Sequence, residues 1–251
     1  MIKVQNVSHT IGELPILKNV SFELPTGQII ALIGANGAGK STLFSLMSRM
    51  NPLQSGNISF DNHDINTATD SDMAKVVAML AQENHIQGRL RVHELLMFGR
   101  YPYHQGRPVQ ADKDKVDEMI TAFELEPLAN RFLSDLSGGQ RQRVLIAMVV
   151  CQDTPYILLD EPLNNLDMYH AGRLMRQMKV LANHGKTVVI VLHDINQASQ
   201  FADTVVMMKS GQVVSVGTPK DVLTAQNMKL LYNVDVTVLM HNDKPIIVDT
   251  V

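Results

Sequence analysis

The chain has 251 residues, 45% of them hydrophobic and 19% charged, enough for one large or two small globular domains with an ample core. A net charge of −3 gives no general electrostatic reason to bind nucleic acid, and no nucleic-acid partner is expected. A single cysteine, Cys151, excludes an internal disulfide framework and, inside an apolar run, reads as a packed core thiol.

Met1-Ile2-Lys3-Val4 leads into mixed polar sequence, so no secretory signal is expected. No apolar run approaches the roughly 18 residues a bilayer span requires, so any membrane role is expected to come through a partner. Residues 1–30 read as short strands, Met1 to Val7 and Ile16 to Leu24, around turn signals at Gly12, Pro15 and Pro25-Thr26-Gly27. Gln28–Ile33 then reads as a buried strand running into Gly34-Ala35-Asn36-Gly37-Ala38-Gly39-Lys40-Ser41. That stretch matches G-x-x-x-x-G-K-[ST], the phosphate-binding P-loop, and Ser41–Met47 reads as the helix leaving it. Glycines let the backbone wrap an anion, while successive N–H groups and the helix N-terminus supply partial positive charge. Lys40 is expected to reach the β- and γ-phosphates, and the Ser41 hydroxyl to hold Mg²⁺.

Residues 51–66 read as a hairpin, and Val76–Leu80 as an apolar strand ending at Ala81-Gln82. From about Val92 to Met148 helical patterning dominates, with Val92–Phe98 and Lys113–Phe123 separated by the turn-rich Gly99–Pro108. This is expected to be a helical lobe inserted into an α/β core, with the lobe at 89–151 and the core at 1–88 and 152–251. Leu136-Ser137-Gly138-Gly139-Gln140 opens a helix with Ser137 at its N-cap and Gln140 three residues on, as in a capping box. The apolar strand Tyr156–Leu159 ends in adjacent carboxylates, Asp160 and Glu161, which suit a metal ligand and a base for water. A helix over His170–Ala182, a strand over Thr187–Leu192 and a helix over Ile195–Phe201 follow. Two hairpins close the chain, Val205–Lys209 with Gln212–Val216, and the strands between Val236 and Val248.

Taken together, the P-loop, Gln82, Leu136–Gln140, Asp160-Glu161 and His193 resemble the ordered motifs of the ATP-binding-cassette (ABC) ATPases, and the likeness spans essentially the whole chain. The resemblance implies an α/β P-loop NTPase fold: a RecA-like mixed sheet core with an N-terminal antiparallel β subdomain and an inserted α-helical subdomain. It implies ATP and Mg²⁺ as ligands. Gly34, Ala35, Asn36, Gly37, Ala38, Gly39, Lys40, Ser41 and Thr42 would bind ATP, while Ser41, Gln82 and Asp160 would hold the metal. Glu161 resembles the general base, with Lys40 and His193 beside it in catalysis.

The resemblance further implies that Ser137, Gly138, Gly139 and Gln140 act on the ATP of a second copy, arranged head to tail, with Asp167 of the D-loop lining the contact. The family's adenine-stacking aromatic is replaced by Ile11, or failing that by His9, so packing rather than stacking on the base is expected. Leu163 stands where many members carry a small Thr.

Val92–Tyr103 and Leu159–Met168 look like the importer branch for ferric siderophores, haem and cobalamin. The resemblance implies an ATP-hydrolysing subunit driving ferric-siderophore uptake from the cytoplasmic face of the bacterial inner membrane. Its partners would be two integral-membrane permease subunits and, indirectly, a substrate-binding protein. Permease docking falls on residues from about Gln82 to Pro108, with Tyr101 and Tyr103 as anchors. Another importer or an exporter shares this chemistry. A soluble ABC ATPase of DNA repair or translation is a rival of another class, although no coiled-coil insertion, basic face or second cassette is seen.

Overall fold

The computed structural model describes residues 1–82 and 89–249. Strands β1 (Ile2–Ile11) and β2 (Leu14–Leu24) form an antiparallel hairpin turning at Gly12-Glu13. Strand β3 (Ile29–Ile33) leads through the P-loop into helix α1 (Lys40–Met47). Next come β4 (Ser55–Phe60), the two-residue β5 (His63–Asp64), helix α2 (Asp70–Val76) and β6 (Val77–Leu80). A helical stretch comprises α3 (Val92–Gly99), α4 (Tyr101–His104), α5 (Gln110–Ala122) and α6 (Gly138–Cys151).

Strand β7 (Tyr156–Asp160), helix α7 (Met168–Asn183), β8 (Thr187–Val191), α8 (Ile195–Phe201) and β9 (Thr204–Lys209) return to the sheet. The chain closes with β10 (Gln212–Gly217), α9 (Pro219–Val222), α10 (Ala225–Tyr232), β11 (Val236–His241) and β12 (Lys244–Asp249).

The central sheet has the order β10-β9-β3-β8-β7-β6, parallel except for the antiparallel edge strand β10. A second, antiparallel sheet runs β2-β1-β4-β5, and β11 and β12 pair in a two-stranded sheet. Strands β3, β7 and β8 are buried along their whole length, as expected of parallel strands covered on both faces. Period-two alternation divides their side chains between two cores. Ile30, Leu32, Leu158, Val189 and Val191 pack with the antiparallel sheet and α1. Ile29, Ala31, Ile33, Ile157, Leu159, Val188 and Ile190 face the helices, and their core runs on without a break into Leu95, Leu96, Val116 and Val144 of the helical stretch.

The α/β P-loop architecture expected from the sequence is therefore the one observed. Its details differ. The N-terminal strands are longer than expected, because β1 bulges with Asn6 at a φ of 52° and so keeps its inward face through His9. Helix α4 lies inside the stretch expected to be turns, with Pro102 in its first turn, where a missing N–H costs nothing. Helices α2, α9 and α10 were not expected. Their N-caps Thr69, Thr218 and Thr224 accept the N–H groups of Asp72, Asp221 and Asn227. Cys151 is buried at the end of α6, and burial pushes its thiol up to about 12.

Candidate active site

Ligands of parallel sheets collect where the strands' carboxyl ends open onto loops, and here those ends deliver every motif of the site. Strand β3 ends at Ile33, and the loop that Gly34 opens turns back through an Ala38 N–H to Ala35 carbonyl bond of 3.1 Å. Gly39, the N-cap of α1, adopts a φ of 98°, and a Cβ there would stand 2.7 Å from Leu17 Cδ2. The left-handed dihedral favours glycine there, and the Ile16 carbonyl oxygen, 3.2 Å from such a Cβ, leaves little room for a side chain. Because no side chain among the described residues caps α1, its first N–H groups remain available to an anion. Lys40 is buried and donates Nζ to the carbonyls of Gly34 at 2.8 Å and Ala35 at 3.2 Å. Burial holds its ammonium below the ordinary value, against the pull of the Glu161 and Asp160 carboxylates.

A cleft of about 600 Å³ opens over this loop, lined by Asn36 through Thr42, Ile16, Gln82, Glu161 and His193. Asp160 ends β7, Glu161 follows it, His193 lies just past β8 and Gln82 just past β6. The Asp160 side chain is buried, and its Oδ1 has no hydrogen-bond partner among the described residues. Burial pushes its carboxyl above the usual range, while a hydrogen bond from the Ser41 hydroxyl opposes the shift. A buried, unsatisfied carboxylate oxygen beside a hydroxyl fits a hard cation. Among the described residues no three His, Cys, Asp or Glu side chains converge as a metal site. A cation held by Ser41 and Asp160 would thus draw further oxygens from phosphates, as Mg²⁺ does in nucleotide sites.

Glu161 adopts a φ of 51°, left-handed backbone that is uncommon outside glycine and that gathers at functional positions. Its side chain is 8% exposed, against 46% for His193, whose Nε2 stands 2.5 Å from Glu161 Oε1. Gln82 Nε2 donates to Glu161 Oε2 at 2.9 Å. The structure thus brings Lys40, Ser41, Gln82, Asp160, Glu161 and His193 around one cleft, although they span more than 150 positions of sequence.

The remaining expected residues lie elsewhere. Ser137 caps α6 in a capping box with Gln140, with bonds of 3.4 Å and 3.1 Å. Ser137, Gly138, Gly139 and Gln140 do not line the cleft of their own chain. Gly139 instead packs on the loop before α7, where a Cβ would stand 3.0 Å from the Asn165 carbonyl oxygen. Asp167 caps α7, accepting His170 N at 2.8 Å and His170 Nδ1 at 2.8 Å, and the first of these bonds does most to hold its carboxyl below the usual range.

Ile11 is 59% exposed at the end of β1 and does not line the cleft. Ile16, on β2, does, and Gly211 is the cause: its turn grips the Ile16–Lys18 backbone and holds that segment against the P-loop. His9 is buried, with Nδ1 unpartnered among the described residues. Of the expected docking stretch, residues 83–88 lie outside the described residues. Tyr101 is exposed, and the Tyr103 ring carries the Arg100 guanidinium 4.0 Å from its centre.

A P-loop at the end of β3, paired acidic residues ending β7 and a histidine past β8 define an ATP-binding cassette. The ABC transporter family matches residues 17–164, and the chain belongs to it. It is 42% identical over 239 residues, covering 95% of both chains, to the petrobactin import ATP-binding protein YclP of Bacillus subtilis (strain 168). It is 34% identical to the hemin import ATP-binding protein HmuV of Shewanella denitrificans, covering 99% of this chain and 100% of that protein. An ATP-binding cassette solved as a dimer in a post-hydrolysis state with ADP and Pi superposes with a TM-score of 0.78 at 29% identity, over 87% of this chain and 98% of that one. The fold of a metal-chelate type ABC transporter in an inward-facing conformation matches at a TM-score of 0.84 and 24% identity, over 100% of this chain and 97% of that chain. The chain is an ATP-binding ABC ATPase. Among the described residues no helix is long and apolar enough to cross a membrane.

Proposed function

We propose that the chain is the ATP-hydrolysing subunit of an importer of iron chelates, with a ferric siderophore as cargo. The observation that carries this reading is end-to-end similarity to proteins named for petrobactin and hemin import, with the petrobactin protein ahead at 42% against 34% identity. The subunit sits peripherally on the cytoplasmic face of the bacterial inner membrane, and residues 89–151 form the helical lobe that meets two permease subunits. Tyr101, 54% exposed, supplies an anchor for them. A substrate-binding protein outside the membrane is an indirect partner, and no nucleic acid is involved.

In the cleft, the P-loop amides and the N-terminus of α1 hold the phosphates, and Lys40 exchanges its own loop carbonyls for the β- and γ-phosphate oxygens. Ser41, Asp160 and Gln82 would hold Mg²⁺, which would supply charge neutralisation on the phosphate oxygens. Glu161 accepts a proton from water as the water oxygen bonds to the γ-phosphorus. The bond from that phosphorus to its bridging oxygen breaks, and ADP leaves with the electron pair. His193 releases Oε1 to meet the γ-phosphate. A second copy, head to tail, contributes Ser137, Gly138, Gly139 and Gln140 to the same phosphates, with Asp167 at the contact. Ile11 packs on the adenine edge beyond Ile16. Closure on ATP and reopening after phosphate release drive the permease.

The experiment is uptake of radiolabelled iron on several siderophores and on haem, in iron-starved native cells carrying either the intact chain or Glu161→Gln. Loss of uptake for one siderophore class establishes direction and cargo. Loss for haem alone moves the cargo to haem, and unchanged uptake of every chelate removes the iron reading.

A further inference from the structure

The Glu161 carboxylate has a further holder. Asn164, three residues on, donates Nδ2 to Glu161 Oε2 at 2.8 Å, and its backbone N–H donates to the Glu161 carbonyl at 3.3 Å. Gln82 shares Oε2 at 2.9 Å, and His193 takes Oε1. Gln82 and His193 reach in from the ends of β6 and β8, so both can leave to serve a nucleotide. Asn164 cannot depart in that way, because it belongs to the loop that carries Glu161. That loop is tied down at several points. Pro162 is buried, Gln142 of α6 donates to its carbonyl at 3.1 Å, and Leu166 N–H closes on Leu163 at 3.1 Å.

We propose that Asn164 is a positioning residue for the base. Its amide N–H holds Oε2 while Oε1, once His193 leaves, is the oxygen that takes the water's proton. A carboxylate free to rotate about its last torsion would spend part of its time with neither oxygen aimed at the water, and misplacement is costly for an in-line attack. This rests on the reading of Glu161 as the base. Asn164 is exposed, so replacing it does not threaten the core.

The test measures steady-state ATPase rates, fluorescent-ATP affinity, ATP-dependent dimerisation and melting temperature on the full chain and four variants. Asn164→Ala should lower kcat about tenfold, with KM, dimerisation and melting temperature nearly unchanged. Asn164→Asp keeps the shape but removes the donor and sets a second carboxylate against Glu161, so its kcat should fall further, about a hundredfold. Asn164→Ser, which retains a short donor, should recover part of the rate. Glu161→Gln separates the two claims: near-normal turnover there removes the base itself. A dead Glu161→Gln with unimpaired Asn164→Ala and Asn164→Asp overturns the positioning role alone. So does a loss that appears in KM or dimerisation instead of kcat, or a serine variant no better than alanine.

Discussion

His193 Nε2 and Glu161 Oε1 stand 2.5 Å apart across the ends of the neighbouring strands β8 and β7. The bond places the candidate base and the candidate phosphate sensor in one unit, with the carboxylate nearly buried and the imidazole half exposed at the cleft mouth. Replacing the carboxylate by an amide keeps the shape and removes the proton acceptor. Glu161→Gln should therefore still bind ATP and dimerise on it, while turnover falls about a hundredfold or more, the lower range of general-base contributions. Turnover near that of the intact chain, measured by phosphate release, would remove Glu161 from the chemistry.

Lys40 makes a different prediction because its hydrogen bonds are to its own loop. Exchanging two carbonyl partners for charged phosphate oxygens gains charge-assisted bonds inside a partly desolvated site. Lys40→Ala should weaken ATP binding itself, by about tenfold to a hundredfold in Kd, from the loss of a charged hydrogen bond of about 1.5–3 kcal/mol. Titration calorimetry reads this directly, and an unchanged Kd would count against phosphate contact by Lys40.

Much of this was legible in the sequence, for a physical reason. The motifs that carry charge or wrap phosphate need particular residues at particular short spacings, so Gly34–Ser41, Ser137–Gln140 and Asp160-Glu161 announce themselves. The five-residue strands β3, β7 and β8 were readable because a parallel strand covered on both faces has no polar position to blur its pattern. Contacts made by chain folding were not. Gln82 and Glu161 are 79 residues apart, and only the parallel register of β6 beside β7 brings them together. Ile16 lines the cleft, and the turn at Gly211 that packs on its backbone is brought there by folding, which no local pattern encodes. Helix α2 was signalled by Thr69 and Asp72, but its seven residues are too few to establish a period.

Gly211 yields a third prediction. At a φ of 82° in the β9–β10 turn, it donates to Ala38 O at 3.1 Å and accepts from Lys18 N–H at 2.8 Å. A Cβ there would stand 2.2 Å from the Ile16 carbonyl oxygen, and that oxygen belongs to backbone with little room to give. Gly211→Ala should cost about 2 kcal/mol of stability through overpacking and left-handed strain. It should also weaken ATP binding, since the displaced partners are Ile16 and the P-loop residue Ala38. A melting temperature and Kd equal to those of the intact chain would mean that β2 yields freely at this point.

A further buried charge lies in the helical stretch, outside the lining of the cleft. Arg100 Nε meets Asp112 Oδ1 at 3.2 Å with both side chains nearly covered, and Arg100 also donates to the Cys151 carbonyl at 3.1 Å. Burial alone would push the Asp112 carboxyl up. The Val109 N–H, the Arg100 hydrogen bond and the Arg100 charge outweigh it and hold the carboxyl below the usual range. A folded value below the unfolded one, about 3.9, means that the pair stabilises the protein above that pH and loses its contribution as the pH falls through the folded value. Arg100→Ala should cost about 3 kcal/mol at neutral pH, because it leaves a carboxylate buried without its partner. In that variant the Arg100 contributions that lower the carboxyl are gone, so the folded value rises from that of the intact chain. Across the acid range the variant should then recover stability relative to the intact chain as Asp112 takes up a proton. Urea melts of both proteins across that range read the difference, and parallel curves would show that Arg100 does not control the charge of Asp112.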